Sequence, residues 1–297
     1  MQLADLRIRT RIPPAELEAK QGRNLAAEDY NLLLTGPAYV RMPDNRPLCI
    51  YLPGVMAKHT TDQPTYDILC DIGKSSVTNN RGLAGATLRL PRGTQKRGYA
   101  VAVRSSIVGA IDPGGIYKYC RTTAWTGEHL PQWQALQPML QDVARHLRDH
   151  VPDRYAAQQA IAQATKPEWV VPGTPFSTIT VNDTYPTGVH TDKGDLDAGF
   201  STLTCARRGS FTGGYLTFPE YRVAVNMQDG DLLLMDAHQW HGNTPIICAC
   251  GSDLRKPCPG CGSQRISVVA YYRTKLQNCD TTEAELEKAR SKRELKV

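Results

Sequence analysis

Residues 231–235 (DLLLM) follow Gly230 with an apolar run from Leu232, and residues 265–272 (RISVVAYY) open on the strand-like alternation Arg, Ile, Ser, Val. A short apolar run after a turn reads as a buried strand, and period-two alternation as a half-buried one. Residues 48–52 and 99–107 are read as two further strands. Over 129–165 the period changes. Met139, Leu140, Val143 and Leu147 recur at helical spacing, with Pro138 placed to open that helix. Pro152 separates it from a second helix over RYAAQQAIAQAT, and the apolar stripes of both are read as core. Pro13-Pro14 ahead of ELEAK predicts a short helix over 14–20. TEAELEKARSKRELK predicts a charged surface helix near the C-terminus, with Thr282 and Glu285 as a capping box. No internal repeat and no low-complexity segment is found.

At 297 residues the chain has room for one large domain, or one with an elaboration. Hydrophobic residues make up 41%, but no apolar run nears membrane-spanning length, so a soluble protein is expected. The first twenty residues hold no apolar stretch of signal-peptide type. Nine cysteines without such a signal point to a reducing, intracellular compartment. The net charge of +6 is compatible with a polyanionic partner without requiring one. The densest basic run, RLPRGTQKR from Arg89 to Arg97, suits phosphate contacts, and suits a solvated loop as well.

The candidate chemistry starts at His190-x-Asp192, with His241 far downstream. Two imidazoles and a carboxylate suit Fe(II), and three protein ligands leave coordination sites for a co-substrate and O₂. Residues two apart on a strand face the same way, so His190 and Asp192 can reach one ion. His241 must then arrive from a neighbouring strand, just past the 231–235 run. Arg265 opens its strand and can pair bidentately with a carboxylate inside a barrel. Each piece has a plainer reading. H-x-D pairs arise by chance, and an arginine at a strand end is otherwise a surface charge. Their combination in strand contexts favours a metal centre. Between His241 and Arg265 lie Cys248-x-Cys250 and Cys258-Pro-Gly-Cys261. Four thiols in a short Gly/Pro-rich loop fit tetrahedral zinc; free thiols or a disulfide are the alternatives. Cys49, Cys70, Cys120, Cys205 and Cys279 are read as small buried apolar residues.

The longer blocks resemble the 2-oxoglutarate- and Fe(II)-dependent dioxygenases, and within them the TET and base-J-binding-protein (JBP) oxygenases, nearer the JBP side. PGTPFSTITVN, HTDKGDLDAGFSTLT, GSFTGGYLTFPEYRVAVNMQDGDLLLMDAHQWHGNTP and RISVVAYY carry the resemblance. RGLAGA, RSSIVGA and CRTTAWT extend it upstream, so that it covers about residues 81–273. It implies an α+β fold, a double-stranded β-helix (jelly-roll) core with flanking helices packed on one face. A single domain over 1–297 is expected: an N-terminal cap (1–80), helical and strand support (81–175), the core (176–275) and a C-terminal helix (276–297). The candidate zinc-binding insert occupies 246–262.

The resemblance also implies roles. His190, Asp192 and His241 are the expected iron ligands, and Arg265 the partner of the distal carboxylate of 2-oxoglutarate. His238 competes with His241. His241 is preferred because the family's distal histidine precedes a Thr-Pro-type segment, as in His241-Gly-Asn-Thr-Pro245. Related enzymes often carry an N-x-Y that contacts the co-substrate. Here the spacing is Asn182-x-x-Tyr185, so one of the two is expected to serve, with Asn182 favoured. The implied reaction consumes O₂ and 2-oxoglutarate and hydroxylates the C5-methyl of thymine or 5-methylcytosine in DNA. That methyl lies in the major groove, so the base must be flipped out of the stack to reach a buried iron. Thymine O4 accepts where 5-methylcytosine N4 donates. No residue that reads the difference is identified, and the JBP-like wording tilts toward thymine. Asp195, Tyr215, His238 and Trp240 are candidates for substrate contact. Aromatic stacking on a base is weighed against core packing for Trp240, and against a turn role for Asp195. One alternative is the same iron chemistry on RNA, a free nucleotide or a protein side chain. The other is a non-catalytic β-helix binding module, against which the intact triad and Arg265 argue.

Overall fold

A computed structural model of the chain describes residues 1–9, 11–78, 81–85, 102–115 and 117–294. The basic run at 89–97 and the first part of the strand expected over 99–107 lie outside the described residues. The chain divides into two compact units. The first comprises Met1–Ser106, Val181–Asp192 and Leu203–Ser267; the second comprises Ile107–Thr180, Lys193–Thr202 and Val268–Val297.

The first unit is mostly sheet, and the expected buried run is its pivot. Strand Asp231–Met235 pairs antiparallel with Pro47–Leu52, from Leu232↔Leu52 to Met235↔Cys49. Every residue of Asp231–Met235 is buried. Burial of successive residues means that both faces of the strand are covered. Pro47–Leu52 pairs in turn with Ala38–Arg41, which pairs in parallel with Ala4–Arg7. The turn into the pivot requires Gly230. Its φ is +75°, and an added Cβ would lie 2.6 Å from the Ala57 Cα. Asp231 locks that entry by accepting hydrogen bonds from the Tyr51 hydroxyl and the Gly54 and Gln228 N–H groups. On the other side of the pivot the sheet continues through Ser201–Arg208, Gln264–Tyr271, Thr178–Asp183 and Val103–Ile111. The residues of these four strands are shared between the two units. A smaller sheet orders Gly242–Asn243, Leu216–Phe218, Val223–Val225 and Leu32–Leu34, and Phe211–Gly213 pairs with Ile246–Cys248. The helix Pro14–Lys20 begins at the Pro13-Pro14 pair, as predicted.

The second unit carries the helices Leu130–His150 and Pro152–Ala164. Met139, Leu140, Val143 and Leu147 are buried, as their spacing predicts. Pro138 does not open the helix. Pro131 occupies the first turn, and Pro138 lies in the helix interior, where it forgoes one backbone hydrogen bond. The C-terminal helix Thr282–Glu294 also departs from expectation. Thr281 caps it by accepting the Ala284 N–H. Glu285, 3% exposed, is not half of a capping box with Thr282; it accepts the N–H groups of Cys120 and Asp280. Cys120 and Cys279 are buried as expected but not free: they form a disulfide across 159 residues, with Cα atoms 6.0 Å apart. No spacing rule pairs cysteines so distant. The fold does so by gathering Cys120, Cys279, Trp169, Tyr272 and Leu276 in one apolar cluster. No helix among the described residues is long and apolar enough to cross a membrane.

Candidate metal centre and co-substrate site

The strand Asp231–Met235 ends in a turn held by one carboxylate. Asp236 is buried and accepts the His238 N–H at 3.2 Å, and its oxygens lie 3.3 Å from the His238 Nδ1 and 3.1 Å from the Gln239 Nε2. Burial alone would raise this carboxyl, but the hydrogen bonds from His238 and Gln239 hold it below its ordinary value. The turn delivers His241 to a bridge with His190. The His190 N–H donates to the His241 carbonyl at 2.9 Å, and the reverse bond is 3.0 Å. Two residues on, the Asp192 N–H donates to the Ala237 carbonyl at 3.0 Å. The strand expected through His190 and Asp192 is therefore a single bridge plus one bond. Its partner here is a turn, which cannot supply a continuous ladder.

These bonds bring three side chains together. His190 Nε2 lies 3.5 Å from Asp192 Oδ1, and His241 Nε2 lies 3.8 Å from Asp192 Oδ2. All three ligand atoms fall within 4.8 Å of one another. The other nitrogen of each ring faces a backbone carbonyl: His190 Nδ1 sits 2.7 Å from Gly188 O, and His241 Nδ1 sits 2.9 Å from Gln239 O. A carbonyl can only accept, so Nδ1 carries the proton and Nε2 presents a lone pair. Burial, reinforced by the neighbouring His190, pushes His241 down to about 4. Its ring is therefore neutral at pH 7. Three acceptor groups converge, an arrangement that repels itself unless a cation lies between them. Two imidazoles and one carboxylate are the donor set of a facial triad for Fe(II). His238 is directed to Asp236 instead and stands outside the convergent set.

Arg265 shows the complementary pattern for an anion. It is 3% exposed, and its place on strand Gln264–Tyr271 is set by Thr184. The Thr184 N–H donates to the Arg265 carbonyl at 2.7 Å, and the Arg265 N–H donates to Thr184 Oγ1 at 3.2 Å. Its Nη2 is buried without a hydrogen-bond partner. Among the described residues no carboxylate pairs with it. Gly214, with φ +69°, provides room: a Cβ there would lie 3.5 Å from Arg265 Cδ and 3.1 Å from Ile246 Cγ1. Arg207 shares this environment, its guanidinium lowered by burial with the charge of Arg265 adding to the effect. A carboxylate is the anion whose two oxygens match a guanidinium fork.

The remaining candidates are placed as follows. Asn182 and Tyr185 are buried: the Ser105 hydroxyl donates to Asn182 Oδ1, and the Tyr185 hydroxyl donates to the Ala84 carbonyl. Burial pushes the Tyr185 phenol well above its ordinary value. Tyr215 is half-buried and meets Tyr30 edge-on at 6.2 Å, and Trp240 is half-buried beside His241. Asp195 belongs to the second unit, where it accepts the Ser201 hydroxyl at 2.6 Å. The four loop cysteines, Cys248, Cys250, Cys258 and Cys261, converge to within 4.8 Å of one another. Motif reading passed over Asp236, Gln239 and Asn243. Asn243 Oδ1 takes both the N–H and the hydroxyl of Thr187, and its Nδ2 donates to the Gly214 carbonyl. It thus joins the segment before His190 to the turn that faces Arg265. The signal for Asp236 was an Asp directly after a strand, where such residues form turns.

The Tet_JBP family model, the oxygenase domain of the 2OGFeDO superfamily, matches residues 114–274, more than half of the chain. The chain is 36% identical over 188 residues to thymine dioxygenase JBP1 of Leishmania braziliensis, covering 59% of this chain and 22% of that protein. It is 35% identical over 188 residues to the Crithidia fasciculata protein of the same name, again with 59% and 22% covered. It therefore spans about a fifth of the length of these relatives. The solved structure of NgTET1 in complex with 5mC DNA superposes with a TM-score of 0.61 at 15% identity, covering 94% of this chain and 100% of that one. That likeness shows the fold, an α+β arrangement with a jelly-roll core.

Proposed function

Since the chain belongs to the TET/JBP oxygenases of the 2-oxoglutarate- and Fe(II)-dependent dioxygenase superfamily, we propose that it hydroxylates the C5-methyl group of a pyrimidine base in DNA. The observation that carries this reading is the presence, in one unit, of a convergent His190–Asp192–His241 donor set and a buried Arg265 with an unpaired Nη2. The first fits a ferrous ion, and the second fits the distal carboxylate of 2-oxoglutarate. Fe(II), 2-oxoglutarate and O₂ together supply the oxidising chemistry: succinate and CO₂ leave, and one oxygen atom enters a methyl C–H bond as hydroxyl.

The chain's own residues hold and orient. The Nδ1–H bonds to the Gly188 and Gln239 carbonyls stop the two rings from turning, so both Nε2 atoms stay aimed at one point. Asp236 fixes the turn that carries one of those carbonyls. Arg265 anchors the far end of the co-substrate, and Asn182 is the proposed second contact to it, ahead of Tyr185. His241 is 4% exposed, so a base in a duplex cannot reach it without leaving the stack. Tyr215, His238 and Trp240 are only half-buried, and each keeps surface to offer a flipped base. Among pyrimidines we assign thymine, because the relatives matched over 59% of the chain are named thymine dioxygenases. The proposed setting is intracellular, where such DNA is found. The metal complement includes zinc on the four loop thiols, apart from the iron.

The test is mass spectrometry of nucleosides after incubation with Fe(II), 2-oxoglutarate and DNA rich in thymine or in 5-methylcytosine. The expected product is 5-hydroxymethyluracil, with matching succinate. His190→Ala and Asp192→Ala should abolish it while leaving the circular dichroism spectrum unchanged. No oxidised pyrimidine from either DNA, or full turnover by both variants, would overturn the reading.

A further inference from the structure

The iron chemistry makes no use of the four cysteines that interrupt the chain between His241 and Arg265. Cys248 ends the strand Ile246–Cys248, and Cys261 lies four residues before Arg265. Their Sγ atoms, with those of Cys250 and Cys258, lie within 4.8 Å of one another, and the Cys250–Cys258 separation is 3.9 Å. Tetrahedral zinc bound at about 2.3 Å sets its thiolate sulfurs about 3.8 Å apart. A disulfide would bring two of them to about 2.05 Å, and all four are free. The backbone already wraps such a centre. A glycine follows the second cysteine of each pair with positive φ, Gly251 at +85° and Gly262 at +62°, and each N–H donates back to the first cysteine's carbonyl at 2.8 and 2.9 Å. Four sulfurs in tetrahedral array select zinc or iron among biological metals. Zinc is the one that stays inert beside a centre that reacts with O₂.

The loop is tied on both sides to the co-substrate site. Phe211, Ile246, Cys248, Leu254 and Cys258 form one buried cluster. Ile246 also packs against the Gly214 turn that faces Arg265. Arg255, between the two cysteine pairs, donates from Nη2 to Asn24 Oδ1 at 2.8 Å. Asn24 in turn donates to the Pro186 and Thr187 carbonyls, at 3.1 and 3.2 Å, just ahead of His190. From these contacts we infer that Cys248, Cys250, Cys258 and Cys261 bind a structural zinc ion that clamps the loop and thereby positions Arg265 and the His190 segment. The positioning role rests on Arg265 as the co-substrate anchor; the zinc assignment does not.

The purified full-length chain, stripped of iron with a mild chelator, is analysed for metal by plasma mass spectrometry. One zinc per chain is expected to remain, and an organomercurial thiol reagent should release it. His190→Ala should keep that zinc. Cys250→Ser and Cys261→Ser, at the two exposed cysteines, should lose it. Should those variants fail to fold, cobalt substitution of the native chain replaces them, and an intense thiolate-to-cobalt charge-transfer band is expected. No retained zinc, iron in its place, zinc kept by both serine variants or absence of the cobalt band would overturn the site. None of these readouts depends on DNA oxidation. For the positioning role, 2-oxoglutarate affinity is measured by calorimetry on the manganese-loaded chain. Zinc-free protein should bind roughly tenfold or more weakly, the scale of supporting contacts around a site. Unchanged affinity would overturn the role.

Discussion

Replacing Arg265 by Met separates a co-substrate anchor from a structural arginine, because the two roles predict opposite signs for stability. Arg265 is 3% exposed, and its buried Nη2 has no hydrogen-bond partner among the described residues. In the co-substrate-free chain the substitution removes a buried charge that no carboxylate among the described residues pairs with, and leaves an apolar side chain of similar length. Such replacements are commonly neutral or stabilising, so the midpoint of thermal unfolding should hold or rise. With 2-oxoglutarate the balance reverses, since its distal carboxylate would be left buried and unpaired. Removing one partner of a buried charge pair costs about 2–5 kcal/mol, and each ~1.4 kcal/mol is tenfold in affinity. The Kd for 2-oxoglutarate should therefore rise roughly 30-fold to several thousandfold. Arg265→Lys should fall between, since a point charge cannot reproduce the planar fork. Calorimetric titration of the manganese-loaded chain measures the affinity, and thermal unfolding without ligand measures the stability. A Kd within twofold of the parent, or an unfolding midpoint lowered by several degrees, would refute the argument and make Arg265 a structural residue.

Asp236→Asn removes the charge that holds the 236–239 turn and leaves one acceptor. Iron affinity should drop about 10- to 100-fold, read by competition with a chelator, and an unchanged affinity would show that the turn holds itself. Breaking the disulfide by Cys120→Ala with Cys279→Ala frees a 159-residue loop in the unfolded chain. Loop-closure entropy sets the loss at up to about 5 kcal/mol, measured by urea unfolding of the variant beside the oxidised parent. His146 and His150 are both lowered by burial. Their folded values lie below the unfolded one, so the unfolded chain takes up more protons. Their contribution is full above about pH 6.5 and is lost as pH falls below it. Unfolding midpoints should decline between pH 6.5 and 5.5, and His146→Gln should flatten that slope.

Legibility followed the range of the interaction. The run at 231–235 and the stripe of Met139, Leu140, Val143 and Leu147 are local patterns, and both lie in the elements they predict. Pro138 misled because a proline's meaning depends on what precedes it, and Pro131 had already opened the helix. The Cys120–Cys279 bond and the burial of Glu285 were invisible for a different reason. Each is decided by residues more than 150 positions away in the chain, Glu285 through the Cys120 N–H. Local composition made Glu285 a surface residue on a charged helix; a distant backbone donor made it an interior one.

The choice between His238 and His241 shows the same limit within the site. Both follow one buried strand by a few residues, and the motif favours His241 only by what comes after it. Hydrogen-bond direction supplies a physical ground. The side chain of His238 meets a carboxylate acceptor at Nδ1, and its own N–H donates to the same oxygen, so it serves the turn. His241 meets a carbonyl at Nδ1 while its main chain pairs with His190 on both sides, so its Nε2 is aimed at Asp192. Asp236 thus spends one histidine on folding the turn that places the other. It follows that His238→Gln, which retains a donor for Asp236, should leave iron affinity within about threefold, since a hydrogen bond is kept and no ligand is lost. The same change at His241 removes a ligand and should reduce retained iron to background. Equal losses at the two positions would mean that the turn, and not the direction of its bonds, decides which imidazole reaches the metal.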